Sequence, residues 1–143
     1  MINAMTIDVE DYYHVSAFES VVSVSDWLGR ESRVERNTRL LLDILDEAHT
    51  CATFFVLGWI AERHPDLVRE VTRRGHEVAS HGYMHQRVYT QTPEKFREET
   101  RLSKKILEDM IGKPVSGYRA ASYSITLKSL WALDILIEEG FLY

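Results

Sequence analysis

The stretch CATFFVL (51–57) constrains this chain more than any other: it is a run of uncharged residues, aromatic and β-branched at its centre. Such a run suits a strand buried on both faces, and a strand of that kind needs helices on either side of its sheet. The flanking segments meet that need. Upstream, over Val34–His49, the apolar residues Leu41, Leu42, Ile44, Leu45 and Ala48 recur at helical spacing between Arg, Asp and Glu. Downstream, Gly58 ends the run and Ile60–Arg74 is again helical, with Pro65 where a first turn or a helix break tolerates it.

The same rhythm extends along the chain. Ala4–Val9 reads as a strand that ends in a burst of acids, followed by a loop over residues 11–34. After Gly75 comes a brief strand, Glu77–Ser80. Thr92–Met110 is the longest expected helix, with Thr92 as cap, Pro93 as first helical residue and Gly112 as its stop. Val115–Arg119 is a short strand, and Thr126–Glu139 a helix opened by Thr126 and closed by Gly140. Alternation of this kind gives parallel strands with helices outside them. Both an open doubly wound sheet and an incomplete (β/α) barrel satisfy it. The sequence stops at GFLY (140–143), where a further strand is expected to begin. Residues 1–143 are therefore expected to be a fragment of a longer chain.

Composition excludes several functions. The 143 residues carry a net charge of -5 with no block of Lys and Arg longer than a pair, whereas phosphate-backbone binding needs clustered positive charge. No nucleic-acid partner is expected. With one cysteine, Cys51, no intramolecular disulfide can form; Cys51 is expected to be a small core residue at the opening of a buried strand. No apolar run approaches the roughly 20 residues that cross a bilayer. MINAMTIDVEDYYH has no basic leader ahead of an apolar stretch, so a cytoplasmic location is expected.

In a parallel α/β fold the residues just past the strands gather on one rim, where sites form. Here those places hold Asp8, Glu10 and Asp11 after the first strand, His81 and His85 after the third, and Arg119, Ser122 and Tyr123 after the fourth. Strand periodicity puts Thr6, Asp8 and Glu10 on one face; Asp11 joins them only if the backbone turns. Crowded carboxylates repel, and a divalent cation removes that repulsion. Two histidines and a carboxylate with an open position form a catalytic metal geometry, in which a water is activated and a second carboxylate takes its proton. Asp8 is the candidate base and Glu10 the candidate ligand beside His81 and His85, with Asp11 as the alternative. Arg119 is placed to hold Asp8 oriented and charged, and a backbone N–H near Ser122–Tyr123 to help hold an oxyanion. Zinc suits this donor set best, and cobalt, nickel and manganese are compatible.

At these residues the chain resembles the polysaccharide deacetylases with a NodB homology domain, carbohydrate esterase family 4. It looks most like the branch associated with exosortase-linked exopolysaccharide loci. TIDVEDYYH (6–14) is similar to the family's first motif in a DVED form, the segment 51–85 ending in SHGYMH runs through the second, and GYRAASYSIT (117–126) is similar to the third. The resemblance implies a distorted (β/α)7 barrel and removal of N-acetyl groups from N-acetylhexosamine residues of a polysaccharide by metal-activated water. It also implies a role in envelope or exported polysaccharide synthesis. Under it the base falls on Asp8, the metal ligands on Glu10, His81 and His85, the tethering arginine on Arg119, and the groove-shaping aromatic residue with its N–H on Tyr123. Ala121 stands where the family's third motif usually has proline. The family's Trp-lined wall and general-acid histidine belong to later motifs, outside this sequence. An amidase of the same fold acting on a small cyclic or linear amide, and a non-catalytic glycan-binding remnant, are the alternative readings.

The remaining singled-out residues have plainer expectations. His14, after Tyr12 and Tyr13, is expected to be a loop residue packed by the neighbouring rings, with a place lining the groove as the alternative, and His49, His64 and His76 are expected to be surface groups. Trp59 and Trp131 are expected in the packing, and Trp27 is a candidate substrate contact.

Overall fold

The computed structural model describes residues 3–143. Three strands, β1 (Thr6–Val9), β2 (Thr53–Val56) and β3 (Glu77–Ser80), form a parallel sheet in the order β1-β2-β3. The register aligns Val9 with Val56 and Val56 with Ser80, so the strands end level. As its composition demands, β2 lies in the middle, with Phe54, Phe55 and Val56 buried. Cys51 lies outside the strand and is exposed, which corrects the expectation of a core position. The chain there is still leaving the preceding helix: His49 adopts φ 50, and the Thr50 N–H bonds back to the Leu45 carbonyl.

Helices α1 (Val34–Glu47), α2 (Gly58–Arg63), α3 (Pro65–Arg73), α4 (Pro93–Ile111) and α5 (Trp131–Glu138) surround the sheet. α1 buries Val34, Thr38, Leu42 and Leu45, while Leu41 and Ile44 of its expected apolar set are exposed. The single helix expected over Ile60–Arg74 is two, broken at His64 (φ -127, ψ 54) because a residue preceding proline is pushed out of the helical region. α4 begins and ends as its sequence indicates: the Lys95 N–H donates to Thr92 Oγ1, and Gly112 closes it at φ 66. It packs Phe96, Thr100, Ser103 and Leu107 inward, touching α2, α3, α5 and β3. α5 starts at Trp131 rather than Thr126, because Ser129 Oγ accepts the Thr126 N–H and holds this stretch as a turn.

The expected strand Val115–Arg119 is reduced to one parallel bridge, Ser80 to Tyr118. It still continues the layer, since the Tyr118 N–H donates to Tyr143 O at 2.9 Å and the Leu142 N–H to Ser116 O at 2.7 Å. His76 is buried instead of exposed: its Nδ1 accepts the Ala52 N–H at 3.2 Å and its ring lies against Phe54. His14 does pack among rings, 4.4 Å from Trp27 and 4.9 Å from Trp59 between centroids.

Candidate metal centre

Because β1 and β3 end level, Glu10 and His81 are the first residues past the same rim. His81 extends the ladder by one bond, its N–H donating to Val56 O at 3.0 Å. The loop beyond then doubles back. Gly82 (φ 79) and His85 (φ 54) both take the left-handed region, a conformation that non-glycine residues adopt at an energetic cost and that clusters at functional sites. The loop is pinned from outside by the start of α2, where the Gly58 N–H donates to Gly82 O and the Trp59 N–H to Tyr83 O. A Cβ on residue 58 would meet the Tyr83 ring at 2.5 Å, so only glycine permits this approach.

The result is a cluster in which one ligand atom each from Glu10, His81 and His85 lies within 4.8 Å of the others. His85 Nε2 is 3.1 Å from Glu10 Oε2. His81 Nδ1–H donates to Arg119 O at 2.8 Å, which fixes the tautomer and leaves Nε2, 3.9 Å from Asp8 Oδ2, with a free lone pair. Burial, and then the neighbouring His81, lower the His85 imidazole to about 4; burial lowers His81 as well. Both rings are therefore neutral near pH 7 and able to ligate. Burial, and then the charge of Asp8, push Glu10 up to about 7, and its buried Oε2 has no hydrogen-bond partner. An unsatisfied buried carboxylate oxygen facing two neutral imidazoles fits a divalent cation, which removes the penalty on the ionised carboxylate.

Beside this cluster Arg119 Nη1 donates to Asp8 Oδ1 at 2.6 Å and Nη2 to Thr6 Oγ1 at 2.8 Å, while the guanidinium lies 4.0 Å from the Phe55 ring centre. The third sequence motif thus closes onto the first. Thr6, expected only to share the Asp8 face of β1, joins the site as an acceptor for the guanidinium.

Asp11 is elsewhere. Its buried carboxylate accepts the Ser32 hydroxyl at 2.7 Å and the N–H groups of Arg33 and Val34, so it caps α1 and takes no part in the cluster. Tyr123 is 87% exposed at the edge of a depression of about 140 Å³ whose lining includes Asp8, Glu10, His81, His85 and Arg119. The Tyr123 N–H is engaged, donating to Ala120 O at 3.2 Å, so in this conformation it is not offered to an oxyanion. Ser122 and Tyr123 both have positive φ, and Ser122 Oγ lies 2.8 Å from Ser16 Oγ across the two loops. Trp27 is 5% exposed, a buried wall rather than an open stacking surface.

Parallel strands whose C-terminal rim gathers two imidazoles, a carboxylate and an arginine-bound aspartate have the ingredients of a metal-assisted hydrolase. Residues 26–135 match the family model for polysaccharide deacetylases, and the chain belongs to that family. The matched span includes His81, His85, Arg119 and Tyr123 and begins after Asp8 and Glu10, whose grouping with them rests on the geometry above.

Among curated relatives, a peptidoglycan-N-acetylglucosamine deacetylase of Bacillus cereus is 32% identical over 54% of this chain, and a chitooligosaccharide deacetylase of Bradyrhizobium sp. is 28% identical over 67% of it. The chain spans 37% and 42% of those two proteins' own lengths. A solved structure from Mycobacterium smegmatis, assigned to the polysaccharide deacetylases, superposes on 98% of this chain with a TM-score of 0.80 and 30% identity, the match covering 49% of that chain. A family pseudoenzyme from Bacillus anthracis shares the fold at a TM-score of 0.74 and 17% identity, over 96% of this chain and 40% of its own. Neighbours of this kind are (β/α)7 barrels, and the sheet and helices described here are an α/β arrangement of the same type.

Proposed function

We propose that the protein is a divalent-metal-dependent deacetylase that removes N-acetyl groups from N-acetylhexosamine residues of a polysaccharide. One observation carries the reading: the convergence of Glu10, His81 and His85 next to the Asp8–Arg119 pair. The fold alone cannot carry it, since a pseudoenzyme shares that fold. Relatives named as peptidoglycan and chitooligosaccharide deacetylases support an acetylated glycan as the substrate class.

In this reading Glu10, His81 and His85 hold the cation, with zinc the best match to two imidazoles and a carboxylate. A cation there supplies Lewis acidity toward an acyl oxygen and lowers the pKa of a water. Asp8 accepts the proton of the attacking water. Arg119 holds the Asp8 carboxylate aimed, with Thr6 and Phe55 fixing the guanidinium in turn. The Tyr123 ring walls the site, and its N–H becomes available to the substrate once the bond to Ala120 opens. Residues 1–143 form the N-terminal portion of a NodB-type domain, and the acid that protonates the leaving amine is contributed from outside them.

Acetate release by the metal-loaded, full-length protein tests this directly. Chitooligosaccharides should release acetate and small cyclic amides should not; the reverse preference would favour the amidase reading, and no release from either, a vestigial site.

A further inference from the structure

The two histidines of the cluster are held in different ways. His81 is fixed at both ends: its N–H donates to Val56 O, and its Nδ1–H to Arg119 O. His85 has neither support. It lies beyond the last strand residue at φ 54, and its buried Nδ1 makes no hydrogen bond. Backbone in that region persists only where its surroundings over-determine it. Apart from Glu10 on its ligating side, the place of His85 is therefore set by the turn over residues 82–84.

Part of the hold on that turn is the contact with α2 described above. The rest comes from behind, out of α4. Ser103 sits on the inward face of α4 with Phe96, Thr100 and Leu107, and both it and Ser80, the last residue of β3, are fully buried. Ser103 Oγ donates to Gly82 O at 2.9 Å and lies 3.0 Å from Ser80 Oγ, which accepts the Gly82 N–H at 3.2 Å. A hydroxyl has one proton to give. That of Ser103 goes to Gly82 O, so the proton between the two hydroxyls comes from Ser80. The direction of every bond is thereby set and the ring closes: Gly82 N–H to Ser80, Ser80 to Ser103, Ser103 to Gly82 O. With both serines fully buried, solvent is not at hand to replace a lost hydroxyl.

We propose that Ser103 is a positioning residue for the cation site: through Ser80 and Gly82 it locks the turn between His81 and His85, and so sets how well His85 meets the metal. The inference rests on the metal-dependent reading above and extends its machinery to a helix that supplies no ligand.

The test uses the full-length protein as wild type, Ser103→Ala and Ser129→Ala. Three quantities are measured: the zinc dissociation constant, the visible spectrum of the cobalt-substituted protein and the thermal midpoint of the metal-free protein. Ser129 is the control, since its hydroxyl is equally buried but bonds Ser124 O and the Thr126 N–H in the turn before α5. Ser103→Ala should raise the zinc Kd roughly 10–100-fold, the range for losing a group that orients a metal ligand. It should also shift the cobalt bands, which report ligand geometry. Ser129→Ala should lower the midpoint and leave zinc affinity and cobalt bands unchanged. Should Ser103→Ala not fold, Ser80→Ala breaks the same ring and should weaken zinc by a like factor.

Wild-type zinc affinity and cobalt bands in Ser103→Ala would overturn the inference and make the ring ordinary core bonding. A comparable loss of zinc in Ser129→Ala would overturn it too, by tracing the effect to stability alone. His81→Ala separates the inference from the reading beneath it. If that variant loses zinc while Ser103→Ala keeps it, the inference alone falls. If His81→Ala binds zinc as wild type does, the metal centre falls and takes the inference with it.

Discussion

Asp8 and Glu10 stand one residue apart, and their surroundings set them to different tasks. Asp8 is bonded by Arg119 at 2.6 Å, whereas Glu10 is buried against two imidazoles and pushed up to about 7. Asp8→Asn should therefore keep the metal and lose the proton acceptor: kcat should fall roughly 10²–10⁴-fold with zinc content unchanged, as read by acetate release and elemental analysis. Unchanged turnover would remove Asp8 from the mechanism. Under the proposed function, Glu10 makes metal affinity pH-dependent. Burial lowers both histidines, His85 to about 4, so Glu10 is the ligand whose proton competes with the metal near neutrality. Zinc affinity should rise as pH increases through about 7, and that rise should flatten in Glu10→Gln. The carboxylates and histidines were legible because strand exits collect such residues. The choice between Glu10 and Asp11 was not, because it depends on where a loop more than twenty residues further on returns the N-terminus of α1.

At the level of elements, the site is held by contacts that leave little trace in local sequence. Asp11 caps α1 from a distant loop, so Asp11→Ala should lower stability by about 1–2 kcal/mol, the range for losing an N-cap, read as a drop in the thermal midpoint. Glu10→Gln should do the reverse, weakening zinc binding far more than it lowers the midpoint of the metal-free protein. Loss of zinc in Asp11→Ala with full binding in Glu10→Gln would exchange the two assignments. The three strands of the sheet could be read to within two residues, β3 at its observed limits, whereas the expected strand Val115–Arg119 shrinks to one bridge. Helix ends set by tertiary partners were harder. Thr126 looks like a cap in sequence, yet Ser129 takes its N–H and the helix starts only at Trp131. His76 next to Gly75 reads as a surface turn, and its burial follows from the β2 entrance folding over it. The left-handed residues His85, Ser122 and Tyr123 carry no compositional signal at all, because their conformation is imposed by what packs around them.

Across the molecule, α1 and α3 are joined by an ion lattice. Arg39 and Arg74 both bond Glu70, and Arg74 also reaches Asp43 and Asp46. Glu70 is only 8% exposed, and the bond from Arg39, then that from Arg74, lowers its pKa against the effect of burial. A carboxylate with a depressed folded-state pKa adds stability that is present above the ordinary glutamate value of 4.5 and is lost as pH falls through the depressed value. Denaturation by urea should show wild type ahead of Glu70→Gln at pH 6, with the gap closing as the pH drops below 4.5; a constant gap would mean the lattice contributes no pH-dependent stability.

The central claim is that this α/β rim grips one cation with residues that follow β1 and β3. Diffraction at the zinc edge from crystals of the full-length protein tests it most directly. The account predicts one anomalous peak enclosed by Glu10, His81 and His85, absent from His81→Ala. A protein whose zinc lies elsewhere, or whose zinc content survives replacement of all three residues, would contradict it.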